Sequence, residues 1–384
     1  MFRYLTSGES HGEGLYVILE GVPAGLKVDL DYINHELSRR QLGYGRGERM
    51  KIEKDEAQIL TGVRGGLTTG APITIKVKNR DYENWEKFMR TTGEIEPGRE
   101  VTVPRPGHAD LAGGLKYGHK DLRNVLERAS ARETAIRVAA GAVAKLFLAE
   151  FGVRIYSHVL RIGSVEVEYP GGLPEEELKK ADEHPLRCLD SQVESRMLKW
   201  VDRARENGDT LGGIFEVVVF GLPPGLGSYV HWDRKLDGRL AGALMAIPSA
   251  KGVEIGDGIA LANIPGRMAV DEIYYENGRF YRKTNRAGGL EGGVTNGMPL
   301  IAKVSLKPIP TQIKPLKSVD IGTKETKPAQ VERSDITAVP AAGVVGEAVT
   351  ALVLMESFLE KFGGDQIKET KRNYENYLQY ITNY

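Results

Sequence analysis

Four arginines and three glycines share the eleven residues from Arg39 to Arg49, in a chain whose 52 Lys and Arg are balanced by 52 Asp and Glu. Guanidinium forks bind phosphate and carboxylate bidentately, and glycines admit a close backbone approach or a positive φ. The segment therefore reads as an anion trap. With zero formal net charge no global field draws the chain to nucleic acid or a membrane surface, so local clusters such as this one must do the electrostatic work.

Two histidines follow glycine turns. Ser7-Gly-Glu-Ser-His-Gly12 sets His11 between a hydroxyl, a carboxylate and glycines, where the ring can point at a ligand rather than into a core. Val103-Pro-Arg-Pro-Gly-His-Ala-Asp110 sets His108 beside Arg105 and Asp110, which can orient or charge it. Imidazole is the side chain best suited to move protons near neutral pH. Other chemistries lack their signatures. No histidine forms a metal-ligand pair at helical spacing. Gly8-Glu-Ser-His-Gly12 has no buried strand before it, as a nucleophile elbow requires. Gly43, Gly45 and Gly47 lack the strand, helix and acidic residue of a dinucleotide fingerprint. Late polar turns at Asn285–Gly293, Lys307–Thr311 and Val331–Asp335 add to the earlier ones. Together they imply one large pocket for polyanionic small ligands.

The elements that must position these residues show an internal duplication. Tyr16-Val-Ile-Leu-Glu-Gly-Val-Pro-Ala-Gly-Leu26 parallels Glu216-Val-Val-Val-Phe-Gly-Leu-Pro-Pro-Gly-Leu226, a strand ending in Gly-x-Pro-x-Gly-Leu. Gly65-Gly-Leu-Thr-Thr-Gly-Ala-Pro-Ile-Thr-Ile-Lys-Val77 parallels Gly292-Gly-Val-Thr-Asn-Gly-Met-Pro-Leu-Ile-Ala-Lys-Val304 in the same order. Each copy supplies a strand, a helical stretch and a Gly-rich turn into a second strand. The Asn277-Gly278 turn predicts a hairpin over 273–283 that absorbs extra length in the second copy.

Helical periodicity covers Asp121–Phe151, Asp190–Glu206 and Gly343–Phe362. The first carries Arg123, Arg128, Arg132 and Arg137, and basic groups at i, i+4 would repel without nearby acids, for which Glu127 and Glu133 are the candidates. The charged tail from Asp365 reads as an amphipathic segment that docks on its own subunit or on a neighbour. Strands at both ends around long central helices predict a mixed, largely antiparallel α+β fold. No linker composition interrupts the chain, so 1–384 reads as one domain. Cys188 is the single cysteine, which excludes an intrachain disulfide. With no signal pattern and apolar runs too short or interrupted to span a bilayer, a cytosolic address is expected.

These residues carry a resemblance. The chain is similar to the chorismate synthase family along its length, in Ser7–Gly12, the Arg40–Arg49 loop, Arg105-Pro-Gly-His-Ala-Asp110, Arg128-Ala-Ser-Ala-Arg-Glu-Thr-Ala135, Lys251–Gly258, Asn285-Arg-Ala-Gly-Gly289 and Lys307-Pro308. The resemblance implies a homotetramer in which helices are sandwiched between antiparallel sheets. It implies an anti 1,4-elimination of phosphate from 5-enolpyruvylshikimate 3-phosphate to give chorismate, with reduced FMN and no net redox change. Whether NADPH or an external flavin reductase reduces the flavin stays open.

Residue by residue, the resemblance gives Arg40, Arg46 and Arg49 to substrate phosphate and carboxylate, or to the nicotinamide dinucleotide. FMN would be held by Arg128, Ala129, Ser130, Ser249, Ala250, Gly292, the turn Lys307, Pro308, Ile309, Pro310 and Thr311, and Arg333. His11 would protonate the departing phosphate, His108 would stabilise the reduced, anionic flavin, and Asp335 would help remove the proton from flavin N5. Ala129 stands where the family often has serine, and Ile309 and Pro310 replace hydroxyl residues. One flavin contact would then be missing or water-mediated, and that turn would use backbone donors.

Overall fold

In the computed structural model, which describes residues 1–47, 54–168, 172–276, 278–332 and 335–384, the two Gly-Pro turns close with the same hydrogen bonds. Thr68 Oγ1 donates to the Pro23 carbonyl and accepts from Leu26 N–H, and Thr295 Oγ1 repeats this with Pro223 and Leu226. Gly25 N–H bonds the Thr68 carbonyl just as Gly225 N–H bonds that of Thr295. The duplication is therefore one of geometry as well as of letters.

The first copy runs β1 (Arg3–Gly8), β2 (Gly14–Glu20), α1 (Leu30–Gln41), β3 (Ala57–Ile59) and β4 (Ile73–Lys78). After it come α2 (Asp110–Tyr117), α3 (Arg123–Ala129) and the long α4 (Thr134–Ala149). The second copy runs β5 (Arg154–Ile162), an edge strand β6 (Val165–Glu166), α5 (Ser191–Asn207), β7 (Gly213–Phe220), α6 (Leu236–Met245), β8 (Ala250–Ile255) and β9 (Leu300–Leu306). It is followed by α7 (Val339–Phe362) and α8 (Ile367–Thr382). Strand order is β1-β2-β4-β3 in one sheet and β8-β9-β7-β5-β6 in the other, antiparallel throughout. The expected hairpin forms between Ile273–Glu276 and Arg279–Arg282.

Alternation sets the layers. Leu15, Val17, Leu19, Ile73, Ile75 and Val77 turn one face of the first sheet onto α1 and α4, and Phe215, Val217 and Val219 turn the second sheet onto α7. The result is a sheet–helix–helix–sheet sandwich, as expected. At its centre α4 and α7 touch with little between them, since a Cβ on Gly141 would come within 2.4 Å of Ala348 Cβ. Any larger residue there would overpack the helix pair, at about 1–3 kcal/mol or more. The pair runs in one direction. Arg40 bonds Thr134 at the start of α4 and Ile336 N–H bonds the Gly45 carbonyl just before α7, while Phe151 and Phe358 meet near the other ends at 4.3 Å.

Two expectations change, and one left open is settled. The periodic stretch 121–151 is not one helix, because Ser130 is extended (φ −64°, ψ 139°) and caps a short turn by accepting Arg132 N–H. Arg128 and Arg132, which an unbroken helix would place on one face, diverge to different partners. The last core helix begins at Val339 rather than Gly343, with Pro340 in its first turn, where a missing N–H costs nothing. It is 24 residues long and apolar enough to cross a membrane, yet 83% of its most apolar window is buried inside the sandwich. The tail docks on its own subunit. At the first Gly-Pro turn Ala24 N–H donates to the Asp365 carbonyl and Ile367 N–H to the Ala24 carbonyl, and at the second Tyr377 Oη donates to the Pro224 carbonyl.

Candidate active site

One end of the sandwich gathers the starts of α4 and α7, the ends of α1 and α6, and the β1–β2 turn. Both parallel helices direct their positive ends here, which favours anions. The arginine trap divides on reaching it. Arg39 and Arg40 are consecutive, so they leave α1 about 100° apart. Arg39 turns into the core, where Nη1 bonds Glu36 (2.9 Å) and Glu347 (2.7 Å) and Nε bonds Asp182 (2.6 Å). Lys145 and Arg187 complete that buried ion cluster. It is structural and lies apart from the anion trap.

Arg40 turns the other way. Nε donates to Thr134 Oγ1 (3.0 Å), Nη1 to Asp55 (3.2 Å) and Nη2 to the Ala131 carbonyl (3.3 Å). Asp55 also pairs with Arg132, whose Nε bonds Asn79 Oδ1 at 3.0 Å. Arg46 pairs with Asp335 at 2.9 Å, and the same carboxylate accepts Gly47 N–H at 2.6 Å. Burial pushes the Arg40 guanidinium down to about 10 against the pull of Asp55, with the charges of Arg132 and Arg46 pushing the same way as burial. Three cations against two carboxylates leave a surplus positive charge that an anionic ligand would offset. Arg49 and Arg333 lie outside the described residues.

His11 is buried rather than pointing freely outward. Its Nδ1 lies 2.9 and 3.0 Å from the two Glu127 oxygens, its backbone N–H donates to Glu127 at 2.7 Å, and its ring stacks on Trp85 at 4.0 Å. Arg123 Nη1 bonds Glu127 at 3.1 Å, one turn away on α3. Arg123 also reaches toward Glu332 at 3.8 Å, which ties this group to the segment that carries Asp335. Asn79 Nδ2 bonds the Glu9 and Gly12 carbonyls and so closes the link from the His11 turn to Arg132. Arg137 pairs with Glu133 at 2.9 Å, so both acids proposed from the sequence do partner the arginines.

His108 sits on a loop clamped at Arg105, whose guanidinium and backbone N–H all bond Asp110 at 2.8–3.0 Å. Its Nε2 is 3.2 Å from Thr311 Oγ1, and Lys307 Nζ donates to the Gly107 carbonyl at 2.7 Å. Lys307 N–H bonds the Ser249 carbonyl, and β8 pairs Ala250 with Leu306. The turn 307–311 thus joins His108 to Ser249 and Ala250. Burial, aided by Arg105, drives the His108 ring down to about 4, so it is neutral at neutral pH. Among the described residues its buried Nδ1 has no hydrogen-bond partner.

A cavity of about 230 Å³ opens nearby, lined by Arg128, Ala129, Glu133, Arg137, Ala246 and Pro248. Arg128 reaches from it to the Gly8 carbonyl (3.0 Å) and to Thr6. Two sequence expectations do not join this end. Gly292 lies in the turn that bonds the start of α6 and precedes β9, a full strand away from Lys307 at the end of β9. Asn285–Gly289 packs there too, where a Cβ on Gly288 would strike Gly256 N at 2.3 Å. Gly288 and Gly289 serve close backbone packing there, whereas Gly292 turns the chain at φ +60° with open space where a Cβ would stand. Sequence reasoning missed Asp55, Asn79 and Trp85, which are single residues in loops with no local partner to mark them.

The comparisons agree with this geometry. The chorismate synthase family pattern matches residues 2–359. The chain is 96% identical to the chorismate synthase of Carboxydothermus hydrogenoformans over 384 residues, all of both chains. It is 54% identical to that of Geobacter sulfurreducens over 99% of each. A chorismate synthase crystal structure superposes with a TM-score of 0.82 at 43% identity, covering 100% of this chain and 99% of that one. With cationic trap, paired histidines and sandwich in place, the chain belongs to the chorismate synthase family, carbon–oxygen lyases that use reduced FMN to perform the last step of the shikimate pathway.

Proposed function

We propose that the end where α4 and α7 begin is where this chain eliminates phosphate from 5-enolpyruvylshikimate 3-phosphate, with both halves of one domain contributing. The observation that carries this reading is the surplus of cations around Asp55. Arg40, Arg46 and Arg132 converge with two helix N-termini on a site suited to a ligand bearing a phosphate and two carboxylates.

In this reading His11, carrying a hydrogen on both ring nitrogens when it acts, keeps its Nδ1 hydrogen on Glu127 and gives the Nε2 proton to the departing phosphate oxygen, which lowers the charge that builds on the leaving group. Arg46 binds the substrate anion, Arg40 holds the trap's geometry through Asp55 and Thr134, and Arg49 adds a further guanidinium. Asp335, oriented by Arg46 and Gly47 N–H, accepts a proton on its carboxylate.

The residues present fit FMN. The unpartnered Nδ1 of His108 and the cavity beside Arg128 and Ala129 suit a polar ring edge and a phosphate. Arg128, Ala129, Ser130, Ser249, Ala250, the turn 307–311 and Arg333 would hold it, and Gly292 would reach it only from another chain. Reduced FMN supplies, when bound, the electron density drawn off by the leaving phosphate and recovers it as the ring hydrogen departs. His108, neutral in this site, would sit beside the reduced, anionic flavin and stabilise its charge.

A homotetramer belongs to the same reading, supported by Leu5 and Ile18 exposed at 72% and 45% on the open face of the first sheet. So do a cytosolic setting and reduction of the flavin by NADPH or a separate reductase. The test is an anaerobic assay with the substrate and photoreduced FMN, following phosphate and chorismate together. One-to-one formation without stoichiometric reductant use is expected. Absence of phosphate release overturns the reading, and an arm with NADPH and oxidised FMN separates the two sources of reduction.

A further inference from the structure

We infer that Glu127 is a positioning residue that selects the tautomer and the direction of the His11 ring, an inference that rests on His11 being the proton donor. Glu127 binds His11 twice, at the backbone N–H (2.7 Å) and at Nδ1 (2.9 and 3.0 Å), so the backbone bond fixes the carboxylate beside the residue and the ring cannot swing without losing the Nδ1 bond. A carboxylate only accepts, so Nδ1 must carry the hydrogen. Nε2 is left as the ring nitrogen for the ligand, and among the described residues no group bonds it.

The carboxylate is itself held. Arg123 Nη1 donates to it at 3.1 Å, and its own backbone carbonyl accepts Ser10 N–H at 3.0 Å, which locks the His11 turn to α3. Trp85 covers a ring face, and the guanidinium groups of Arg99 and Arg123 sit over the indole at 4.6 and 4.9 Å. Burial would push the Glu127 carboxyl up, but the His11 hydrogen bonds and the Arg123 charge outweigh it and hold it below the ordinary glutamate range. The logic is that of a carboxylate orienting a catalytic imidazole.

Glu127→Gln tests this sharply. Its single carbonyl oxygen cannot serve the His11 N–H and the donors at the other oxygen together. With the carbonyl on the backbone N–H, the amide donates to Nδ1 and forces the hydrogen to Nε2. Imidazole nitrogen NMR on flavin-free, ¹⁵N-labelled protein reads this without turnover. In the wild type the neutral His11 ring carries its hydrogen on Nδ1, and in E127Q it moves wholly or partly to Nε2. Under anaerobic assay E127Q loses about 10- to 1,000-fold in kcat with KM within about threefold, and E127D recovers part of the loss. A wild-type ring protonated at Nε2, or an unchanged ring in E127Q, overturns the inference even if other variants fail to fold. A moved hydrogen with wild-type kcat also overturns it, because the ring direction that Glu127 sets would then not matter to turnover.

Discussion

The two copies of the duplicated unit are alike where they close and unlike where they open. At the closed end Thr68 and Thr295 make the same hydrogen bonds to the same turn atoms. At the open end β1–β2 is joined by a short turn carrying His11, while the equivalent β5–β7 connection runs from Gly163 to Gly212 and includes α5. The end of α1 and the loop after it deliver Arg40 and Arg46, whereas the residues after α6 deliver Ala246 and Pro248, which line the cavity without charge. The first copy therefore supplies ionic chemistry and the second supplies backbone and wall. Framework hydrogen bonds constrain both copies equally, but side chains at the rim are free to diverge because they bear little of the core.

This contrast can be broken at its strongest point first. His11→Ala should lower kcat by about 10²- to 10⁴-fold in the anaerobic phosphate-release assay while the melting temperature moves little. An unchanged rate would strip the first copy of its chemical role. Arg132→Ala should cost about 1.5–3 kcal/mol in denaturant unfolding, because buried Asp55 keeps Arg40 but loses one charge-assisted bond and Asn79 Oδ1 loses its donor. A loss near zero would mean that the trap contributes nothing to folding.

The closed ends give a matched pair. Thr68→Val and Thr295→Val should each cost about 1–3 kcal/mol, since each strands a turn carbonyl and a leucine N–H, with activity retained. Losses that differ by more than about 1 kcal/mol would show that the copies are not energetically equivalent.

A last effect concerns pH. The folded His108 ring sits at about 4 against an ordinary 6.5, so between those values the unfolded chain binds a proton that the folded chain refuses. The stability it contributes is present above pH 6.5 and is lost as the pH falls toward 4. The difference in stability between wild type and His108→Gln should change over that window and level off outside it. A flat difference would mean that the ring is not desolvated as described.

Much of this was legible in the chain. His11, His108, Arg46 and Asp335 stand in compact patterns of Gly, His, Arg and Asp whose chemistry is local. The turn signals foretold the duplication, and the i, i+4 charges pointed to Glu127 and Glu133. The break at Ser130 was not legible, because the helical period continues through it and only the capping bond to Arg132 reveals it. Nor was the exit of Arg39 into the core legible, since nothing in Arg39-Arg40 says which neighbour is the carboxylate Glu347, 308 residues away.

By itself the sequence determined where the principal turns and core helices fall, that a strand-and-turn unit occurs twice, and which side chains could carry charge or a proton. Those properties follow from periodicity and turn chemistry, which act over a few residues. Only the tertiary structure decided that α4 and α7 lie parallel with both positive ends on one site, that Asp55 sits between Arg40 and Arg132, and that Gly292 faces the opposite end of the same chain. Those outcomes depend on packing between residues tens to hundreds of positions apart, where burial and close helix approach, rather than local propensity, choose the partner.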